Sequence, residues 1–121
     1  MQRVYYPALP SCDPLGLVGH QMTGPGTMVS VDLHGGFSAA SKAMADVRLI
    51  TPAVSLGSCD TLIQHPAGLT HRVVDPEARN QNGIGPGLLR ISVGLEDVDD
   101  IWRDLDLALS GADKRLAWSA K

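Results

Sequence analysis

The chain has 121 residues, of which 44% are hydrophobic and 4% aromatic, and its formal net charge is −3. This length suits one domain with one modest core, and the lack of a basic block argues against nucleic acid as a partner. No apolar run approaches the roughly 18 residues that a membrane helix needs, and the N-terminus lacks the apolar segment of a signal peptide.

The first third of the chain predicts two strands and two helices separated by turns. Val4–Tyr6 is β-prone and leads into a proline-rich loop over residues 7–14. Residues 15–22 suggest a short helix interrupted by two glycines, and Thr27–Leu33 alternates as a strand does. A helix is expected over Phe37–Arg48. Its apolar face is expected to consist of Phe37, Ala40, Met44 and Val47.

The middle of the chain predicts two further extended segments, a loop and a short helix. The extended segments are Leu49–Leu56 and Asp60–His65, and the loop covers residues 68–75. A helix over Pro76–Gln81 is expected to begin with Asp75 as N-cap, because proline suits the first helical position.

The last predicted strand and helix organise the rest of the chain. Leu89, Ile91 and Val93 alternate with Leu88, Arg90 and Ser92, which is the pattern of a half-buried strand. Asp97 is well placed to cap a final helix, and Asp99 is expected to pair with Arg103 on its solvent side. The apolar stripe of that helix is expected to consist of Val98, Ile101, Trp102, Leu105 and Leu109.

Short strands and helices in this order predict an α+β fold, a small mixed sheet covered by helices on one side. We expect one domain over residues 1–110 and a loosely held tail over residues 111–121, where Leu116 and Trp118 could dock.

Arg90 and Ser55 are the two residues whose setting suggests a ligand site. An arginine on a strand flanked by hydrophobic residues usually has an anionic partner, because an unpaired buried guanidinium is costly. Its planar fork suits a carboxylate. Ser55 ends an extended segment just before Gly57, where hydroxyl and backbone can face a ligand. Spacing alone leaves an internal salt bridge from Arg90 to Asp or Glu as the alternative.

Other reactive residue types are expected to have structural roles. Lys42 lies on a polar helix face, and Lys114 and Lys121 lie in the tail, so none has the desolvated pocket of a Schiff-base lysine. His65 and His71 match no standard metal spacing. Two cysteines, Cys12 and Cys59, are too few for a disulfide scaffold, so we expect a reduced, cytoplasmic protein without a metal site.

Several ordered motifs resemble the C-terminal domain of the pyridoxal-phosphate (PLP) enzymes of cysteine and methionine metabolism. This family includes methionine γ-lyase, cystathionine γ-lyase, cystathionine γ-synthase, cystathionine β-lyase and the homoserine sulfhydrylases. The motifs, which together span roughly residues 4 to 110, are Tyr6–Ser11, Gly26–Ser30, Ala53–Gly57, His65–His71, Glu77–Arg79, Gly83–Ile84 and Leu89–Asp97.

The resemblance implies the fold and the role of three residues. It implies a small antiparallel-dominated sheet with helices on one side, as in the C-terminal domain of fold-type I PLP enzymes. It also implies that Arg90 binds the α-carboxylate of an amino-acid substrate and that Ser55 lies beside it. Family members that act on cystathionine tend to carry Glu where this chain has Val54. An apolar residue cannot pair with a distal ammonium group, so a methionine-like or homoserine-ester substrate is favoured.

The resemblance also implies that the cofactor machinery lies outside this chain. The family's cofactor lysine belongs to a Ser-x-Thr-Lys stretch in a large PLP-binding domain, and these 121 residues contain no such stretch. Without PLP there is no electron sink for a substrate carbanion. We therefore expect no catalytic or cofactor-binding residue here, no PLP binding by this chain alone and no activity alone.

Three hypotheses follow for the chain as a whole. The first is the carboxylate-recognition domain of a lyase or transferase whose PLP-binding large domain is on the same or a separate chain. The second is an orphan, non-catalytic domain that acts as a homo-oligomeric binding or scaffold module. The third is a fragment of a complete enzyme. In the first two, an apolar face would be covered by a partner or by self-association.

Overall fold

A computed structural model describes residues 1–110 of the protein. Within these residues the strands are β1 (Arg3–Tyr5), β2 (Met28–Asp32), β3 (Thr51–Pro52), β4 (Leu62–Gln64) and β5 (Leu88–Ser92). The helices are α1 (Gly36–Asp46), α2 (Pro76–Gln81) and α3 (Val98–Ser110), and a 3-10 turn covers Pro10–Cys12. Both the expected tail and the expected docking of Leu116 and Trp118 lie outside the described residues.

The strands form one mixed sheet in the order β1-β2-β5-β4-β3. The pairs β1–β2, β2–β5 and β4–β5 are antiparallel, and only β3–β4 is parallel. The strand that carries Arg90 is therefore central, with β2 on one side and β4 on the other. This arrangement confirms the expected α+β fold with an antiparallel-dominated sheet.

One face of the sheet and the two long helices enclose the core. Val29, Ile91 and Ile63 lie in one cross-strand row, and Val31 and Leu89 lie in the next. The alternation of β5 sets this pattern, because successive side chains of a strand point to opposite faces. The buried core cluster consists of Val31, Leu33, Ala40, Ala43, Ile50, Ile63, Leu89, Ile91 and Ile101.

Helix α3 begins as predicted and buries part of the predicted stripe. The Asp97 carboxylate accepts a hydrogen bond from the Asp99 N–H at 2.9 Å, as a helix cap does. Val98 and Trp102 are 74% and 69% exposed, so their predicted place in the apolar stripe is wrong. The prediction is confirmed at Ile101, which is buried, and at Leu105 and Leu109, which pack against the core cluster. Asp104 and Ala108 are also buried, although they were not predicted to be.

The predicted ion pair on α3 is wrong, and the predicted apolar face of α1 is confirmed in part. Arg103 pairs with Asp100, at 2.9 Å between Nη1 and Oδ1, instead of with Asp99. Residues three apart on a helix are neighbours just as residues four apart are. Of the predicted face of α1, Ala40 is buried, and Met44 and Val47 pack against the core cluster. Phe37 is half-exposed, with its ring centroid 4.8 Å from that of His65.

Two predicted segments form less regular structure than expected. Residues 15–22 contain no helix, because Gly16 and Gly19 have positive φ angles of 63° and 87°. The Asp13 carboxylate holds this turn by accepting from the N–H groups of Leu17 and Val18 at 2.8 and 2.9 Å. In the predicted segment Leu49–Leu56, only Thr51–Pro52 is a strand.

Helix α2 matches its prediction at both ends. The Asp75 carboxylate accepts from the N–H groups of Glu77 and Ala78 at 2.9 and 3.2 Å. Asn82 is the C-cap, and Gly83 follows with a positive φ of 75°. None of the helices described has the length and apolar composition needed to cross a bilayer.

Candidate functional site

The candidate site lies on the sheet face opposite the helices. Ser30 on β2, Arg90 on β5 and Gln64 on β4 are register partners and form one polar cross-strand row. Ser92 and Leu62 are paired in the next row on the same face. The polar residues at alternate positions of β5 thus face away from the core, as the period-two pattern predicts.

Arg90 reaches the segment that follows β3. Its Nη2 donates a hydrogen bond to the backbone carbonyl of Ser55 at 2.9 Å, across 35 positions of sequence. Among residues 1–110, no carboxylate lies within ion-pair distance of Arg90. The structure therefore brings together the two residues that the sequence singled out, and it does not supply the internal salt bridge that was the alternative.

The Ser55 segment is held over the sheet by a second contact. The Gly57 N–H donates to Oγ of Ser92 at 2.9 Å, and Gly57 has a positive φ of 75° that suits glycine. The chain therefore turns over β5 instead of continuing as a strand, which explains why the predicted segment Leu49–Leu56 is mostly not extended. Val54 and Leu56, on either side of Ser55, are 58% and 57% exposed.

A second segment reaches the same sheet face through Gln64. Nε2 of this residue donates to Oγ1 of Thr70 at 2.7 Å, and Oγ1 also lies 2.9 Å from Nδ1 of His71. Arg79 of α2 fastens the segment, because its Nη1 donates to the carbonyls of Ala67 and His71 at 3.0 and 3.3 Å. Arg79 thus has a structural role, because it ties α2 to the segment that contacts Gln64.

Gln64 was not among the predicted site residues. It is only 3% exposed, and neither its Oε1 nor the Nε of Arg90 has a hydrogen-bond partner in the described part of the chain. Sequence patterning placed Gln64 on a strand but not beside Arg90. Only the antiparallel pairing of β4 with β5 makes the two residues neighbours.

The histidines that were considered as metal ligands make separate contacts. Nε2 of His65 lies 2.9 Å from the Pro86 carbonyl oxygen, and its ring packs on Phe37. His71 contacts Thr70 instead. Within residues 1–110 no group of three His, Cys, Asp or Glu side chains is arranged to hold a metal ion, and Cys12 and Cys59 are free thiols.

A carboxylate beside the end of β5 connects the site to the start of α3. Glu96 accepts from the N–H and the hydroxyl of Thr61 at 2.6 and 2.7 Å. These hydrogen bonds, first from the N–H and then from the hydroxyl, lower the pKa of Glu96. The Thr61 Oγ1 in turn accepts from the Gly94 N–H at 2.9 Å. The pKa of Asp60 is also lowered, mainly by a hydrogen bond from the Ser58 hydroxyl.

A sequence profile of the Cys/Met metabolism PLP-dependent enzymes matches residues 1–110 of the chain. The chain belongs to this family. The L-methionine gamma-lyase of Brevibacterium aurantiacum is 51% identical over 109 residues, which are 90% of this chain and 26% of that protein. The L-methionine gamma-lyase of Pseudomonas putida is 42% identical over 112 residues, 93% of this chain and 28% of its own length. The chain therefore spans about a quarter of the length of these relatives.

Solved structures with the same fold include two gamma-lyases. The cystathione gamma lyase (CalE6) of Micromonospora echinospora has a TM-score of 0.83 and 43% identity, over 91% of this chain and 29% of that chain. The cystathionine gamma-lyase of Lactobacillus plantarum, solved with L-serine, has a TM-score of 0.79 and 36% identity, over 89% of this chain and 28% of that chain.

The family depends on PLP, but the described residues do not fit this cofactor. Lys42 is the one lysine within residues 1–110. It lies on the exposed side of α1, and its Nζ is paired with the Asp46 carboxylate at 2.5 Å. An amine that is exposed and charge-paired is not activated as a nucleophile. Lys114 and Lys121 lie outside the described residues. The described residues therefore offer no lysine suited to the attachment of PLP.

Proposed function

We propose that this chain supplies substrate-carboxylate recognition to a PLP-dependent sulfur amino-acid lyase or transferase, and that a separate region, on the same or another chain, holds PLP. The observation that carries the proposal is the placement of Arg90 beside Ser55 without a carboxylate partner in the described part of the chain. A guanidinium donates two parallel hydrogen bonds to a carboxylate, a geometry that neutral side chains cannot reproduce. Arg90 is thus the cation for the α-carboxylate of an amino acid.

Val54 supports a methionine-like or homoserine-ester substrate. Its side chain is 58% exposed and precedes Ser55 directly. An apolar side chain can pack on a thioether or an ester, whereas it would leave a second ammonium group without a partner. The L-methionine gamma-lyases among the relatives agree with this choice. The reaction that the assembled protein would carry out is elimination or replacement at the γ-carbon.

The apolar side chains around the site support a PLP-binding partner region. Leu56 and Leu69 are 57% and 45% exposed, in the two segments that adjoin the Arg90 face of the sheet. Grouped exposed apolar residues commonly mark an interaction surface. The chain spans only 26% of its relative from Brevibacterium aurantiacum. We propose that a region equivalent to the remaining three quarters of that protein packs on these apolar side chains.

A hybrid protein tests the proposal. In this hybrid, the 121-residue chain replaces the matching region of the Brevibacterium aurantiacum L-methionine gamma-lyase. We expect the hybrid to release thiol from L-methionine. We expect Arg90→Gln to raise KM at least tenfold, since a hydrogen-bonded charge contact is lost. Lys42→Gln is the matched control, because it removes the same charge from an exposed position on α1.

Two results would count against the proposal. A hybrid that folds and holds PLP but neither releases thiol from L-methionine nor consumes a homoserine ester would exclude the assignment to a sulfur amino-acid reaction. Equal KM values for Arg90→Gln and Lys42→Gln would exclude Arg90 as the carboxylate ligand. Sequencing the coding DNA that flanks this chain is an independent check, because the proposal expects a Ser-x-Thr-Lys stretch to be encoded nearby.

The alternative of a homo-oligomeric binding or scaffold module uses the same exposed apolar side chains. Light scattering separates the two functions. A complex between this chain and the PLP-binding region of the relative would support the proposal. Self-association that the PLP-binding region does not displace would support the scaffold module instead.

A further inference from the structure

Two buried polar atoms of the candidate site are unpaired and complementary. Oε1 of Gln64 is a hydrogen-bond acceptor, and Nε of Arg90 carries a donor hydrogen. Neither has a partner within residues 1–110. Buried donors and acceptors in native proteins are nearly always paired, because an unmade hydrogen bond leaves the cost of desolvation uncompensated. These two unpaired atoms therefore need an explanation.

The pairing of the strands places both side chains within reach of each other. Gln64 and Arg90 are direct register partners on the antiparallel strands β4 and β5. Cβ atoms of such partners lie about 4.5–5.5 Å apart, a distance that the two side chains together can span. Gln64 is only 3% exposed, so a ligand in solution cannot easily reach its oxygen. The natural partner for each atom is the other one.

The neighbours of Gln64 orient its amide for this contact. Its Nε2 lies 2.7 Å from Oγ1 of Thr70, and the same Oγ1 lies 2.9 Å from Nδ1 of His71. The Thr70 hydroxyl has a single hydrogen. When Nδ1 of a neutral His71 accepts that hydrogen, Thr70 can only accept from Gln64. The amide nitrogen of Gln64 then faces Thr70, and its oxygen remains free to accept from Arg90.

In the structure described here, the guanidinium is held from its other end. Nη2 of Arg90 donates to the Ser55 carbonyl at 2.9 Å. Because Nε of Arg90 is buried, a carboxylate from solution meets the terminal nitrogens, and two parallel hydrogen bonds need the guanidinium plane to be set in advance. Nε is the one nitrogen that such a ligand leaves to the protein.

We propose that Gln64 is a positioning residue, whose amide oxygen accepts a hydrogen bond from Nε of Arg90 and fixes the guanidinium plane when a substrate carboxylate is bound. The inference rests on the proposed function, because it concerns the carboxylate that Arg90 is proposed to bind. Gln64 itself does not touch the substrate. It acts through Arg90, and Thr70 and His71 set the direction of its amide.

Calorimetry with two probes on the hybrid protein tests this role. The probes are L-norleucine, a straight-chain analogue of methionine without sulfur, and its amide, which lacks the carboxylate. We expect Gln64→Met to weaken norleucine binding about tenfold, the effect of one hydrogen bond to a charged group, and to change amide binding less than twofold. Gln21→Met is the matched control, because it makes the same substitution at an exposed position outside the site, and it should change neither.

The outcomes distinguish this inference from the proposed function. If the unsubstituted hybrid prefers norleucine to its amide and Gln64→Met keeps that preference, the inference is wrong and the proposed function stands. If the unsubstituted hybrid shows no preference, carboxylate recognition fails and the inference fails with it. Equal weakening of both probes would indicate a merely structural role for Gln64 and would also overturn the inference.

A crystal structure of the hybrid with norleucine keeps the inference testable if Gln64→Met does not fold. A distance of 3.2 Å or less between Oε1 of Gln64 and Nε of Arg90, within the usual range for such hydrogen bonds, would support it. A distance beyond 3.5 Å with norleucine bound would overturn it.

Discussion

The carboxylate of Asp104 is expected to be the most consequential single polar group in the fold. Asp104 lies on α3 and is 7% exposed. It accepts from the Arg48 N–H at 2.9 and 3.1 Å, and from the N–H groups of Leu49 and Ile50 at 2.9 Å each. One side chain therefore satisfies three consecutive backbone donors that follow α1. The substitution Asp104→Asn changes little volume and tests these contacts.

The size of the effect follows from these contacts. A hydrogen bond to a charged group contributes about 1.5–3 kcal/mol, so three donors at full strength would give roughly 5–9 kcal/mol. The burial of the carboxylate offsets part of this gain, and an asparagine oxygen can still accept from some of the donors. We therefore expect Asp104→Asn to lower the free energy of unfolding by about 3 kcal/mol. Such a loss is roughly 20–60% of the stability of a small domain, which is typically about 5–15 kcal/mol.

Urea denaturation of the 121-residue chain, followed by far-ultraviolet circular dichroism, measures this change. A loss of about 3 kcal/mol would lower the midpoint by about 2 M at the m-values of small domains. Asp99→Asn is the matched control, because it removes the same charge from an exposed position on α3 and should cost at most about 1 kcal/mol. A loss below about 1 kcal/mol for Asp104→Asn would refute the assigned role.

Two further predictions concern the junction of β5 and α3. Because the pKa of Glu96 is lowered by its hydrogen bonds to Thr61, its contribution to stability is present above the normal glutamate pKa and is lost as the pH falls through the lowered value. Urea midpoints of the unsubstituted chain should therefore fall more steeply below about pH 5 than those of Glu96→Gln, and parallel profiles would contradict this. Gly94→Ala should cost about 1–3 kcal/mol, because its Cβ would lie 2.4 Å from the Cys59 carbonyl oxygen, and an unchanged urea midpoint would contradict this.

Elements with strong local signals could be predicted with close agreement. The Asp75-Pro76 pair marks the start of α2, and the following Asn82-Gly83 marks its end, because caps depend on nearby backbone groups. The alternation around Arg90 likewise predicts β5 and the face on which the arginine lies. The sequence could not reveal Gln64 as part of the site, because its neighbour Arg90 is 26 positions away and only strand pairing joins them.

Predictions failed where tertiary packing decides between local alternatives. The packing of α3 keeps Ile101, Leu105 and Leu109 of the predicted stripe against the core. It leaves Val98 and Trp102 exposed and buries Asp104. A carboxylate is costly to bury unless it is hydrogen-bonded, so the sequence gives no reason to place Asp104 inside. Burial becomes favourable at Asp104 because the chain after α1 brings three backbone donors to it from more than 50 positions away.

The sequence by itself determined the family, the class of fold and the pair of residues Arg90 and Ser55, because local periodicity, caps and ordered motifs are properties of neighbouring positions. The tertiary structure decided which side chains meet. It turned the chain after β3 over the sheet, so that the Ser55 carbonyl meets Arg90, and it paired β4 with β5, so that Gln64 lies beside the same guanidinium. Such contacts depend on strand order and register, since both bring together residues that are far apart in the chain.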